Sequence, residues 1–136
     1  MGMYTELVMA VRIDSDEEKV INTLKYMLEE GDDKNCDFDH KLFVTDRWKW
    51  MLLSDSYYFD GETDTKLIYD HILDGYILNV RCNLKNYDRE IELFLEWIAP
   101  HVHTNGFVGY MRYEDDEDPT LIYIEYDEVI FKKINN

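Results

Sequence analysis

Between Thr5 and Ile13 the chain alternates. Leu7, Met9, Val11 and Ile13 point one way, while Glu6, Ala10 and Arg12 point the other. A period of two predicts a half-buried strand. The period then changes. Val20, Ile21, Leu24, Met27 and Leu28 fall at helical spacing, which predicts an amphipathic helix. Ser15-Asp16-Glu17-Glu18 reads as its capping box, with Ser15 at the N-cap and Glu18 reaching back. The acids of that turn suit the positive end of the helix dipole, and Gly31 is the expected stop.

Residues 31–41 read as a polar, acidic loop. In 42–59, Trp48, Trp50, Leu52 and Tyr57-Tyr58-Phe59 suggest one or two strands broken at Ser54-Asp55-Ser56, with a helical turn around Thr45–Trp48 as the alternative. Gly61-Glu62-Thr63-Asp64 reads as a turn. Residues 65–72 and 76–83 form a predicted hairpin across Asp74-Gly75, a strong turn dipeptide. Asn86 is the expected cap of a second helix that buries Ile91, Phe94, Leu95 and Ile98 and stops at Pro100, near His101. Strands at 106–113 and 120–126 flank the loop Glu114–Pro119, and Glu128–Lys133 reads as a short last strand.

This order, β-α-β-β-β-α-β-β with one further strand, predicts a single α+β domain over residues 1–136. Its sheet is expected to be mainly antiparallel, with two helices packed on one face. The closest named architecture is a ferredoxin-like relative.

Charge changes the picture more than composition does. Among 136 residues, 30 acids face 14 bases, a net charge of −16. Self-repulsion of that size costs stability, and either solubility alone or a basic partner would offset it. Phosphates and anionic lipid surfaces would be repelled, so neither nucleic acid nor membrane is an expected partner. The charge is also uneven. Glu114 to Glu128 holds eight acids and no base, whereas Arg81 to Tyr113 holds four of each. The helix-free sheet face is the expected carrier of much of this charge. It is also the expected place for Tyr57, Tyr69, Tyr76, Tyr110, Tyr113, Tyr123 and Tyr126, since all fall in predicted strands and tyrosine is enriched at interfaces. The bland alternative is solvated acids and ordinary strand tyrosines. No apolar run approaches the length of a membrane span. The N-terminus lacks the basic and apolar regions of a signal peptide. A cytoplasmic location with reduced thiols at Cys36 and Cys82 is expected.

Catalytic signatures are absent. No serine occupies a Gly-x-Ser-x-Gly turn, and no glycine loop is built to cradle phosphate. Cys82 reads as an inert thiol in mid-strand. His101 and His103 lack partners at zinc spacing, as does the loose group Cys36, Asp37, Asp39 and His40. The Glu114–Asp118 run lacks the ligand pattern of a calcium loop. No catalytic residue, metal or cofactor is expected.

The stretches Met3-Tyr4-Thr5-Glu6-Leu7, Thr45-Asp46-Arg47-Trp48, Ser56-Tyr57-Tyr58-Phe59 and Glu90–Ile98 (EIELFLEWI) resemble those of small uncharacterised proteins of bacteriophages and their hosts. In size and charge the chain also resembles the acidic proteins by which phages block host defences, including anti-CRISPR proteins and nucleic-acid mimics. This second resemblance implies no residue role. With the charge argument, it leads to the expected function of an inhibitor that binds the basic nucleic-acid-binding surface of an effector or nuclease. The expected contacts are Glu114, Asp115, Asp116, Glu117, Asp118, Glu125, Asp127 and Glu128, with Tyr110, Tyr113 and Tyr123. An immunity protein against a nuclease toxin uses the same physics. A small enzyme or ligand-binding module with a helix–sheet pocket, and a phage assembly protein, are the readings from other classes.

Overall fold

A computed structural model describes residues 4–54 and 65–134. Its elements run β1 (Thr5–Asp14), α1 (Glu18–Met27), β2 (Lys66–Asp70), β3 (Gly75–Leu84), α2 (Glu90–Ile98), β4 (Gly106–Tyr113), β5 (Thr120–Glu125) and β6 (Glu128–Lys133). The strands form one antiparallel sheet in the order β2-β3-β1-β4-β5-β6. The first four strands and two helices follow the split βαβ arrangement of a ferredoxin-like fold. β5 and β6 extend the sheet beyond β4.

The alternation read in the sequence is what sorts the sheet. Leu7, Met9, Val11 and Ile13 of β1 pack with Leu78, Val80, Cys82 and Leu84 of β3 and with Ile122 and Ile124 of β5. All are buried, in one cluster with Val20, Ile21, Leu24 and Met27 of α1 and Ile91, Phe94, Leu95 and Ile98 of α2. Both helices therefore cover the same face. The opposite face carries Glu6, Val8, Ala10 and Arg12 of β1. Opposite them on β3 stand Asn83, Arg81, Asn79 and Ile77.

The helix termini depart from expectation at α1. Glu17, not Ser15, holds the N-cap position, and no side chain caps it. Glu18 instead accepts a hydrogen bond from Asn35 Nδ2 (3.2 Å). The helix ends at Met27, and Glu29 rather than Gly31 takes the left-handed conformation (φ 59°). At α2 the N-cap position falls on Arg89, in the left-handed conformation (φ 59°), rather than on Asn86, whose Oδ1 nonetheless accepts from Ile91 N–H in the first turn (2.9 Å). Glu90 is fully buried there, accepting from the backbone N–H of Arg47 (3.1 Å) and of Asp88 (3.2 Å).

Residues 41–54 contain no strand. They form two 3-10 segments, Lys41–Val44 and Trp48–Leu53, which insert Leu42, Met51 and Leu52 into the core. Phe43 packs edge-on against Trp48 (4.9 Å) and Trp97 (5.4 Å), so tertiary aromatic contacts override the strand preference of this segment. The expected strand at Tyr57-Tyr58-Phe59 and the turn at 61–64 lie outside the described residues.

Candidate partner-binding surface

Strand direction decides which acids meet. β1 and β2 run toward one end of the sheet, α1 starts there, and α2 finishes there. The β2–β3 and β5–β6 turns lie at the same end. Acids from four separate stretches of sequence therefore gather on one rim. Asp14 ends β1 and Asp16, Glu17 and Glu18 follow it, Asp70 and Asp74 border the β2–β3 turn, Glu96 lies late in α2, and Glu125, Asp127 and Glu128 surround the β5–β6 turn. Contacts make this rim continuous. Ser15 N–H donates to Asp74 O (3.3 Å), and Glu17 Oε2 lies 2.8 Å from His101 Nδ1. Asp14 faces His103 at 3.5 Å, and Glu96, Asp127 and Glu128 line one hollow together with Ala99. Arg12 on the helix-free face is engaged by Asp70 (3.5 Å).

The expected contact residues are divided by this geometry. Glu125, Asp127 and Glu128 belong to the rim. Glu114, Asp115, Asp116, Glu117 and Asp118 lie at the other end of β5, beside Arg112 and Lys133. Glu114 also has a local structural use: its carboxylate accepts from Tyr4 N–H (3.0 Å), and its own N–H donates to Tyr4 O (3.0 Å). Tyr110 and Tyr123 stand on the helix-free face, opposite Val8 and Phe107 respectively. Burial, then the charge of Glu6, raises the Tyr110 pKa above its ordinary value. Tyr113 pairs with Thr5 and shares the side of Leu7, hence the other face. Its pKa is raised first by burial, then by Asp115 and Glu114.

The helix-free face is not the acidic surface that the sequence suggested. By register it presents Lys66, Arg81, Arg12, Arg112 and Lys132 against Asp70, Glu6, Asp14, Glu125 and Glu128, a balanced set. Tyr69 and Tyr76 turn toward the helices, their rings 5.2 Å apart, and Tyr126 sits in a turn. What this face does hold is a groove of about 470 Å³ lined by Val8, Ala10, Asn79, Arg81, Phe107 and Tyr110. Composition could not reveal it, because its floor depends on which small residue falls at mid-sheet.

Other candidate chemistry stays local. His40 Nδ1 accepts from Leu42 N–H (3.1 Å), and Asp37 accepts from Trp97 Nε1 (3.3 Å). Among the described residues, no group of three or more histidine, cysteine, aspartate or glutamate side chains is placed to hold a metal. No helix there is long and apolar enough to cross a membrane. Burial, then the charge of Glu6, pushes the Cys82 thiol up to about 12. Comparison with protein-family models, curated proteins and solved structures finds no match.

Proposed function

We propose that this protein is an acidic binding protein whose rim occupies a basic surface on a partner. The partner class is a nucleic-acid-handling effector or nuclease whose phosphate groove the carboxylates would fill. An anti-defence inhibitor of the anti-CRISPR kind is the leading case. The observation that carries the reading is the convergence of acids from four stretches on one end of the sheet. Opposite charge across an interface speeds encounter and fixes orientation. A grooved basic protein would supply cations beyond Arg12, His101 and His103, which already face Asp70, Glu17 and Asp14.

The experiment is affinity capture on the immobilised protein from a bacterial lysate, eluted with a salt gradient. Released proteins are expected to be basic and to bind nucleic acid. The protein is expected to displace nucleic acid from them, more weakly as salt rises. A variant carrying Asp16→Asn, Asp127→Asn and Glu128→Gln should capture several-fold less. A captured set that is neutral, or indifferent to those substitutions, overturns the reading. So does a gel shift of DNA or RNA by the protein alone at low salt.

A further inference from the structure

We propose that the outer edge of β6 pairs with the same edge of a second copy of this chain, joining their two six-stranded sheets into one antiparallel sheet. This does not rest on the partner reading above. β6 ends the sheet, and β5 covers only one side of it. Tyr126 and Asp127, at φ 52° and 68°, form a two-residue hairpin turn between the paired Glu125 and Glu128. The pair that flanks such a turn exchanges hydrogen bonds, and the exchange recurs at every second pair. Glu128, Ile130 and Lys132 therefore turn their backbone groups toward β5, while Val129, Phe131 and Lys133 turn theirs outward. Among the described residues, no other backbone group pairs with these outward ones. An open edge of this kind is a template for another strand.

Register and charge select the occupant. Val129 and Phe131 lie on the helix-covered face, opposite the buried Ile124 and Ile122, and Glu128, Ile130 and Lys132 lie on the other. A one-residue slip between the two copies would put these faces out of step. Of the registers that keep them in step, the one centred on Ile130 sets Glu128 opposite Lys132 of the other copy. Two-fold symmetry forms that pair twice, and Val129 and Phe131 then exchange backbone bonds. The same register carries Asp127 toward Lys133 of the other copy, and Tyr126 toward its Ile134. Tyr126 is 91% exposed and Ile134 53% exposed, so two side chains left uncovered within one chain come to cover each other. A centre at Phe131 instead sets Lys132 against Ile130 and Lys133 against Val129, and both ion pairs are lost. A parallel arrangement sets like charge beside like. Lysine on an edge ordinarily discourages pairing; here each lysine meets an acid. The contact is narrow, so a weak dimer is expected. It occupies Asp127 and Glu128 but leaves the rim acids of β1, α1 and the β2–β3 turn open to a partner.

Sedimentation of the purified full chain over a range of concentrations tests this, at moderate salt so that repulsion between two chains of net −16 is screened. Wild type is expected to pass from monomer to dimer as concentration rises. Phe131→Pro removes an outward N–H and no bond to β5, and should stay monomeric. Glu128→Lys and Lys132→Glu should each weaken self-association by about fivefold or more, since the repulsive pair forms twice across the axis. Mixed in equal amounts, these two variants should recover a dimer of near wild-type strength, because each offers the other an opposite charge. That recovery requires folded chains in this register, so it decides the question even where the proline variant fails to fold. A chain that stays monomeric at its highest soluble concentration overturns the proposal and leaves the edge to a strand of another protein. A dimer indifferent to these substitutions, or one that the mixture does not restore, overturns it too. None of these outcomes touches the reading of the rim, which is tested on a partner.

Discussion

Glu29 follows the C-cap of α1 at φ 59°. A side chain in that region costs about 1 kcal/mol relative to glycine. The chain accepts the cost because Glu30 N–H reaches Lys25 O at 2.8 Å, a bond that satisfies a terminal helix carbonyl. Glu29→Gly should therefore stabilise the protein by about 0.5–1 kcal/mol, measured by urea unfolding. Loss of stability would show that the Glu29 side chain has a role beyond the turn. The sequence announced a glycine stop, but two residues late. Gly31 is the visible signal, and which residue closes the helix depends on which carbonyls are left over. Cys82 was more legible, since its apolar neighbours in a strand pattern implied burial. With its thiol pushed up to about 12 by burial, it should resist a thiol reagent in the native state and react on unfolding, while half-buried Cys36 reacts first. The same shift has a pH consequence. The unfolded chain loses this proton in the ordinary thiol range, and the folded chain holds it up to about 12. Between those limits the folded state binds more protons, so this group's contribution lowers stability as pH rises. Thermal melts of wild type and Cys82→Ala across that window should differ in slope.

At the scale of elements, the join between β1 and β4 depends on one glycine. Gly109 lies opposite Met9 beside a register shift, at φ 156°. A Cβ there would stand 2.0 Å from Val8 O and 2.6 Å from Met9 Cα. Backbone cannot yield as a flexible side chain can, so Gly109→Ala should destabilise by about 3 kcal/mol or more, read from the urea midpoint. A near-neutral result would mean that β4 can slip along β1. Nothing in the local pattern of 106–113 marks this glycine as a contact, because the constraint comes from a strand a hundred residues earlier. The two helices were legible for the opposite reason: Val20, Ile21, Leu24, Ile91, Phe94 and Leu95 carry the 3.6-residue period within their own segments. The stretch 41–54 failed on the same criterion. Trp48, Trp50 and Leu52 alternate as a strand would, yet Met51 and Leu52 are the residues buried. Their placement follows from packing against the aromatic cluster and the sheet, which no local period encodes.

At the scale of the whole molecule, the sequence displayed the acids but not their assembly. The run at 114–118 dominates by eye because it is continuous, while the rim is spread over four stretches. Only strand direction tells Asp16, Glu96 and Asp127 that they share an end. The two groups can be separated by experiment. Neutralising the rim with Asp16→Asn, Asp127→Asn and Glu128→Gln relieves repulsion among exposed carboxylates, and so does neutralising the hairpin with Asp115→Asn, Asp116→Asn and Glu117→Gln. Both variants should keep or raise the melting temperature, and moderate salt should raise that of wild type by screening the same repulsion. Binding should divide them. The rim variant is expected to lose several-fold in affinity for a pentalysine peptide and most of its salt dependence. The hairpin variant should stay within about twofold, because Arg112 and Lys133 stand beside that loop and offset its field locally. A hairpin variant that loses more affinity than the rim variant would move the contact surface to the other end of the sheet and return it to the acids most conspicuous in the sequence. Equal retention by both would mean that the charge of −16 serves solubility rather than recognition.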